Sequence, residues 1–141
     1  MPGVYISWPF CSQKCTYCNF ASGVFPRVVE QRYLERLLAE LREHEWGWMP
    51  ETVYLGGGTP GSMPDEALRA VLGLAPGAPW AEATLEAAPG AIAAEAVEAW
   101  ARLGINRVSL GVQSFVEEEL RRTGRRHTAE GVERDVALLR A

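Results

Sequence analysis

Short apolar runs alternate along the chain with longer segments in which apolar residues recur every three or four positions. The short runs are rich in β-branched and aromatic residues, which is typical of strands. They predict four strands, at residues 4–8, 52–55, 83–87 and 107–112. The longer segments predict amphipathic helices. These helices are expected around residues 29–42, from Ser62 to about residue 72, at residues 91–103 and after Ser114, with a last one from 128 to 141.

Local signals mark several of the predicted helix ends. Ser62 with Asp65, and Ser114 with Glu117, have the spacing of a capping residue and its acidic partner. Gly104 follows the third helix, where a glycine commonly ends a helix. The last helix has no stop signal before residue 141, so we expect the chain to be part of something longer.

Strands that alternate with helices predict an α/β fold with a parallel sheet, because parallel neighbours need helical crossovers. The 141 residues are enough for one domain with its own core. Two arrangements agree with this pattern: an open doubly wound sheet, and an arc of a (β/α) barrel, which is a partial TIM barrel.

Composition narrows the classes of function. A net charge of −4 gives no basic surface for nucleic acid, so no nucleic-acid partner is expected. The sequence has neither the pattern of a signal peptide nor an apolar run long enough for membrane insertion. We therefore predict a cytoplasmic protein, and in that reducing compartment clustered cysteines more often bind metal than form disulfides.

Unusual residues follow each predicted strand. Three cysteines come after the first strand and three glycines, 56–58, after the second. Glu86 lies near the end of the third strand and Gln113 directly after the fourth. Functional groups of parallel α/β folds collect at the carboxyl ends of strands, so we expect these residues to meet at one edge of the sheet.

Cys11, Cys15 and Cys18 are the only cysteines, and their spacing is C-x₃-C-x₂-C. An iron–sulfur cluster is favoured, because three thiolates hold three corners of a four-iron cubane and leave one iron open. Two alternatives remain from spacing alone: a Cys₃His zinc site completed by His44 or His127, and inert thiols. Aromatic residues around the loop are expected to shield a cluster from water; these are Phe10, Tyr17, Phe20 and Phe25.

The other candidates also have two interpretations each. The glycine triplet is either a tight turn or a place where backbone closely approaches a ligand, with Thr59 adding a hydroxyl. Glu86 and Gln113 are either polar groups at a sheet edge or ligand contacts. Arg125 lies in a basic stretch that is either a solvated loop or a clamp for a carboxylate, for which its planar fork is well shaped.

These residues resemble a known family. The cysteine motif with Tyr17 before its last cysteine, followed by Gly-Gly-Gly-Thr-Pro at 56–60, resembles the radical S-adenosylmethionine (SAM) superfamily. Segments 5–11, 86–90, 108–115 and 124–128 look like its coproporphyrinogen III dehydrogenase branch. That branch contains oxygen-independent dehydrogenases and HemW-type heme chaperones.

The resemblance implies two cofactors and a role for each candidate. A [4Fe–4S] cluster would be held by the three cysteines, and S-adenosyl-L-methionine would bind the open iron. Gly57, Gly58, Thr59 and Glu86 would face the amino group of SAM, Arg125 its carboxylate and Gln113 its ribose, while Tyr5 would help to line the site. The resemblance also implies that residues 1–141 are the N-terminal part of a radical SAM core, with about four of six βα units of a partial barrel.

Asn19 and Phe20 follow the last cysteine, where dehydrogenases of the branch usually have Gly-Cys. This departure favours a heme chaperone, which would carry heme as cargo to acceptor hemoproteins such as respiratory enzymes. A reductant protein for the cluster is the other implied partner. The alternative is an oxygen-independent coproporphyrinogen III dehydrogenase, so the resemblance leaves open whether the protein is an enzyme. The chain also has Ser7 and Ala88 where the family usually has His and Asn.

Overall fold

The computed structural model describes residues 1–90 and 92–141, in which four strands alternate with helices. The predicted start of the third helix, at Ala91, lies outside the described residues. The strands are β1 (Gly3–Trp8), β2 (Thr52–Gly57), β3 (Glu82–Ala87) and β4 (Arg107–Leu110). The helices are α1 (Arg27–Glu43), α2 (Asp65–Leu74), α3 (Ala94–Arg102), α4 (Glu117–Arg122) and α5 (Ala129–Arg140).

The four strands form one parallel sheet in the order β1-β2-β3-β4. The predicted α/β class and parallel sheet are therefore confirmed. Strand order follows chain order without a reversal, as in an arc of a barrel, whereas a doubly wound sheet reverses its order at a switch point. All four strands consequently present their carboxyl ends at the same edge.

The two faces of the sheet have different chemistry. Side chains on the outer face are apolar and almost fully buried, and they pack against α1, α2 and α3; they include Ile6, Trp8, Val53, Leu55, Ala83 and Leu85. Side chains on the inner face are mostly polar or aromatic; they include Tyr5, Tyr54, Thr84, Glu86 and Ser109. Because side chains alternate along a strand, each strand contributes to both faces.

Two of the predicted helix ends are confirmed. Gly104 has φ of +89° directly after α3, and its N–H donates to the Ala101 carbonyl. Thr128 precedes α5, and its hydroxyl oxygen accepts a 3.1 Å hydrogen bond from the N–H of Gly131. In each case a hydrogen bond satisfies a backbone group that would otherwise have no partner at the end of the helix.

The two predicted capping serines are wrong. α2 begins after Pro64, and the hydroxyl of Ser62 instead donates to the Thr59 carbonyl, 2.7 Å away, within a short 3-10 turn over Pro60–Ser62. α4 begins after Val116, so Ser114 lies too early to cap it. Its hydroxyl oxygen accepts the Val116 N–H at 3.0 Å and bonds to Glu119, rather than pairing with Glu117.

The fourth strand is shorter than predicted, since it ends at Leu110 instead of residue 112. Beyond it the backbone turns, and Gln113 takes a positive φ of +66°, which is uncommon for a residue other than glycine. No helix in the described part of the chain is both long and apolar enough to cross a membrane.

Candidate functional site

A cavity of about 580 Å³ opens at the carboxyl edge of the sheet. Its walls contain almost all of the candidate residues, which come from the carboxyl ends of β2 and β3, the loops after the strands and the loop between α4 and α5. These are Cys11, Cys15, Cys18, Gly57, Gly58, Thr59, Glu86, Gln113 and Arg125. The structure therefore brings together residues that are up to 114 positions apart in the sequence, from Cys11 to Arg125.

Tyr5 is the exception among the candidates, because it does not line this cavity. It lies on the inner face of β1, three residues before the end of the strand, and its side chain is 59 % exposed. Its ring stacks on that of Tyr54, with centroids 5.6 Å apart and planes at 14°. Tyr5 is thus beside the cavity rather than in its wall.

The three cysteines lie in an irregular loop that is closed at its base. The N–H of Cys11 donates to the Gly23 carbonyl, and the N–H of Gly23 donates to the Pro9 carbonyl, both at 2.9 Å. The N–H of Cys18 donates to the carbonyl of Cys15 at 3.1 Å, which forms a turn around the motif. All three thiols are free and half-buried.

Local polar groups favour the thiolate form of Cys18. Its pKa is lowered, first by a backbone hydrogen bond from Phe20, then by the hydroxyl of Ser22, with smaller contributions from the charges of Lys14 and Arg125. Since the thiolate is the form of cysteine that ligates metals, this environment suits a metal ligand.

The zinc alternative requires a histidine close to the three cysteines. Within residues 1–90 and 92–141, no three His, Cys, Asp or Glu side chains are placed to hold one metal ion. His44 lies just after the carboxyl end of α1, which runs back from the cysteine loop to the opposite edge of the sheet. His127 does line the cavity, but its Nε2 is 2.9 Å from the Val112 carbonyl.

The aromatic residues near the motif divide between two places. Tyr17 and Phe20 line the cavity, and Phe20 is 73 % exposed at its rim. Phe10 is buried in the core against Trp8, so its predicted role as a cluster shield is wrong. The alternation of β1 accounts for this position, because Ile6, Trp8 and Phe10 fall on the same outer face.

The glycine triplet is a place of close approach, and the backbone it approaches is that of the cysteine loop. The N–H of Gly58 donates to the Trp8 carbonyl at 2.8 Å, and the N–H of Thr59 donates to the Phe10 carbonyl at 2.9 Å. A Cβ atom at Gly58 would be 2.5 Å from the Phe10 carbonyl oxygen. Gly58 therefore lets the loop after β2 pack directly against the start of the cysteine loop.

Glu86 is held by two neighbours on β2. Its Oε1 accepts a 2.7 Å hydrogen bond from the hydroxyl of Tyr54, and its Oε2 accepts a 3.1 Å hydrogen bond from the N–H of Gly57. Gly57 has φ of +118°, a conformation that favours glycine. Sequence reasoning missed Tyr54, although the alternation of β2 places it on the same face as Glu86.

Arg125 joins the far wall of the cavity to the cysteine loop. Its Nε and Nη2 donate to the hydroxyl of Tyr17 at 3.1 and 2.9 Å. Nearby, the side chain of Gln13 donates to the Gly124 carbonyl at 2.7 Å. Burial is the largest cause that raises the pKa of Tyr17, so its hydroxyl keeps its proton at neutral pH. No sequence pattern predicted this contact between Tyr17 and Arg125.

A buried carboxylate supports the loop that follows Glu86. Asp135 on α5 is fully buried, and it accepts hydrogen bonds from the N–H of Gly90 at 2.5 Å and from Arg134 at 3.3 Å. Gly90 lines the cavity, so α5 helps to fix one of its walls. This residue was also missed, because its partner lies 45 positions earlier.

The arrangement suits two kinds of ligand side by side. Thiols at one end of the cavity suit soft metals such as the iron of a cluster. In the same cavity, a carboxylate and a guanidinium group, Glu86 and Arg125, have charges complementary to the ammonium and carboxylate groups of an amino acid. The donor set thus agrees with a cluster that lies next to a ligand with an amino-acid moiety.

Comparison with known proteins gives consistent results. A family model described as the radical SAM superfamily matches residues 5–141. The chain is 38% identical to the heme chaperone HemW of Escherichia coli over 143 aligned residues, covering 96% of this chain and 38% of that protein. It is 34% identical to an oxygen-independent coproporphyrinogen III oxidase of Paracoccus denitrificans, covering 97% of this chain and 32% of that protein.

A solved structure of coproporphyrinogen III oxidase (HemN) from Escherichia coli has the same fold, with a TM-score of 0.85 at 24% identity. The match covers 99% of this chain and 34% of that one. The chain thus spans between about a third and two fifths of the length of these proteins. From the matched family model and the shared partial-barrel fold, the chain belongs to the radical SAM superfamily, whose members use a [4Fe–4S] cluster and SAM.

Proposed function

We propose that Cys11, Cys15 and Cys18 hold a [4Fe–4S] cluster and that SAM binds beside it in the cavity. The observation that carries this proposal is the convergence of three thiols, one carboxylate and one guanidinium group on a single cavity. Family membership supports the identity of both cofactors. A bound cluster, once reduced by an external electron donor, would supply the electron for reductive cleavage of SAM.

The polar residues would bind and orient SAM. Glu86 accepts hydrogen bonds from the ammonium group of its methionine moiety, and the neighbouring backbone of Gly57, Gly58 and Thr59 lies along the same group. Arg125 pairs with the carboxylate through its planar fork. Gln113 binds the ribose. Tyr5 lies beside these residues and forms the boundary of the site on the inner face of the sheet.

The hydrogen bonds between Arg125 and Tyr17 must break if Arg125 is to bind the carboxylate of SAM. The Nε and Nη2 of Arg125 both bond to the Tyr17 hydroxyl, which is neutral, whereas the carboxylate of SAM carries a charge. The guanidinium is charged in both pairings, but the carboxylate adds an opposite charge and two oxygens that match its planar fork, so exchange of Tyr17 for the carboxylate is favourable. Tyr17 thus keeps Arg125 close to the cavity until the ligand binds.

For the biological role we favour a heme chaperone. Asn19 and Phe20 replace the Gly-Cys pair usual in dehydrogenases, and the heme chaperone of Escherichia coli is 38% identical to this chain. Heme would then be cargo for acceptor hemoproteins such as respiratory enzymes, and a reductant protein would serve the cluster in the cytoplasm. In this proposal residues 1–141 are the N-terminal part of a longer radical SAM core.

The second candidate is an oxygen-independent coproporphyrinogen III dehydrogenase. The 34% identity to the oxidase of Paracoccus denitrificans favours it. It would convert coproporphyrinogen III to protoporphyrinogen IX with consumption of SAM. The two candidates share the cofactor site and differ in what happens to the porphyrin.

One set of assays separates the two roles. The protein, expressed from its natural reading frame and purified anaerobically, is titrated with heme and separately incubated with coproporphyrinogen III, SAM and a reductant. We expect stoichiometric heme binding, transfer of heme to an apo-hemoprotein, and no porphyrinogen conversion above that of the Cys15→Ala variant. Porphyrinogen turnover that the Cys15→Ala variant lacks would establish the dehydrogenase instead, and absence of heme affinity would rule out the chaperone.

A further inference from the structure

Tyr54 reaches the cavity wall chiefly through Glu86, and Ser109 is a second neighbour of its hydroxyl. It lies on the inner face of β2, and its hydroxyl donates to Oε1 of Glu86 at 2.7 Å. It is not among the residues that line the cavity. The register explains the contact, since Tyr54 pairs with Thr84, two positions before Glu86 on the same face of β3.

The two hydrogen bonds to Glu86 use one oxygen each. The hydroxyl of Tyr54 bonds to Oε1, and the N–H of Gly57 bonds to Oε2 at 3.1 Å. A carboxylate has about four lone-pair positions, so two remain for a ligand. Donors at both oxygens also fix the rotation of the carboxylate, which a free glutamate side chain would otherwise sample among several rotamers.

The ring of Tyr54 is itself held in place. It stacks on Tyr5, with centroids 5.6 Å apart. A Cβ atom at Gly56 would lie 2.5 Å from the Tyr5 hydroxyl and 2.9 Å from the Tyr54 ring, so the first glycine of the triplet makes room for both rings. The hydrogen bond to Glu86 is the largest cause that raises the pKa of Tyr54, so this donor keeps its proton at neutral pH.

We propose that Tyr54 is a positioning residue that orients the Glu86 carboxylate toward the amino group of SAM. This inference rests on the proposed function, because it takes Glu86 as the amino-group ligand. Tyr54 does not touch SAM; it acts by fixing the direction of the lone pairs that Glu86 offers. Loss of its hydroxyl should therefore weaken recognition of the amino group and spare the rest of the ligand.

The test compares the binding of two ligands to four proteins and to one control variant. SAM and its deaminated analogue, in which hydrogen replaces the α-amino group, are titrated into the anaerobically reconstituted protein. The proteins are the wild type, Tyr54→Phe, Glu86→Gln and the double variant. Tyr33→Phe is the matched control, because it also removes a phenol hydroxyl with a 2.7 Å hydrogen bond, here to the Ser7 carbonyl and outside the cavity.

We expect Tyr54→Phe to bind SAM about 5- to 30-fold more weakly, less than loss of a direct hydrogen bond to a charged group would produce, because Tyr54 acts through Glu86. The deaminated analogue should bind Tyr54→Phe and wild type alike, because it does not use Glu86. Glu86→Gln should lose more affinity than Tyr54→Phe, and adding Tyr54→Phe to it should cost nothing further. Tyr33→Phe should bind both ligands as the wild type does.

Three results would overturn the inference. An equal loss for both ligands would show a general structural effect, and unchanged SAM affinity in Tyr54→Phe would show no role at all. Additive losses in the double variant would show that Tyr54 acts independently of Glu86. A wild-type protein that binds its cluster but not SAM would instead overturn the proposed function, and the inference with it.

A second measurement needs no cofactor and no Tyr54 variant. The Tyr54 phenol is titrated by NMR in protein labelled with ¹³C at the tyrosine Cζ, in the wild type and in Glu86→Gln. The pKa of Tyr54 should fall in Glu86→Gln, because this variant lacks the negative charge that accepts the hydrogen bond of the phenol and disfavours its ionised form. An unchanged pKa would show that the Tyr54–Glu86 bond is absent in solution and would overturn the inference.

Discussion

The two faces of one sheet are stabilised by different interactions. On the outer face, side chains such as Leu55 and Leu85 are fully buried among helices, so their contribution is apolar area removed from water. On the inner face and at the carboxyl edge, Glu86 and Arg125 are each held by two hydrogen bonds, Glu86 by Tyr54 and Gly57 and Arg125 by Tyr17. The outer face therefore fixes the fold, while the polar contacts fix where functional groups point.

This comparison predicts that neighbouring residues of β3 have opposite effects. Leu85→Ala should lower the free energy of unfolding by about 2–5 kcal/mol, since it leaves a cavity in the core. Glu86→Gln, one residue further, should change stability much less but should weaken SAM binding more than Tyr54→Phe does. Chemical unfolding and SAM titration of both variants provide the check. If Glu86→Gln proved as destabilising as Leu85→Ala, the division between the faces would be wrong.

A second prediction concerns backbone contact between two loops. Gly58→Ala would place a Cβ atom 2.5 Å from the Phe10 carbonyl oxygen, and this neighbour is backbone that cannot simply rotate away. We expect a cost of about 1–3 kcal/mol and loss of cluster incorporation, because the cysteine loop must shift.

Gly73→Ala is the matched control for Gly58→Ala. Gly73 lies inside α2 with no atom within 4 Å of an added Cβ, so alanine there should increase stability by about 0.5–1 kcal/mol. Cluster incorporation by Gly73→Ala should equal that of the wild type. Normal iron content in Gly58→Ala would contradict the close-approach explanation.

The smallest expected effect is at the start of α5. Thr128→Ala removes the hydroxyl that accepts the Gly131 N–H and should cost about 1 kcal/mol. The same substitution at Ser62, which caps no helix, should stay within about 0.5 kcal/mol. Thermal unfolding of the two variants tests this difference. Equal costs would mean that the Thr128 hydroxyl does not stabilise the start of α5.

Sequence patterns predicted the strands and helices because their information is local. Alternation and helical periodicity depend on residues a few positions apart, and Thr128 and Gly104 act on their own helix ends. The capping predictions failed at Ser62 and Ser114 because the intervening residues, including Pro64, set a later helix start. At these two serines the capping pattern was present in the sequence, but it did not determine the residue at which the helix begins.

The site was predicted unevenly for a similar reason. The cysteines, the glycine triplet and Glu86 stand out as residue types at strand ends, and all of them except Gly56 line the cavity. Tyr54 and Asp135 carry no such signal, since an aromatic residue in a strand and an acid in a helix are ordinary. Their partners become apparent only when strand register and helix packing are known.

The most direct test of the central claim is the iron and sulfide content of the anaerobically reconstituted protein, with the EPR spectrum of its reduced form before and after SAM. We expect about four irons and four sulfides per chain in the wild type, a spectrum that changes when SAM is added, and no four-iron cluster in Cys15→Ala. About four irons in Cys15→Ala, or one zinc without sulfide in the wild type, would contradict the claim that these three cysteines hold the cluster.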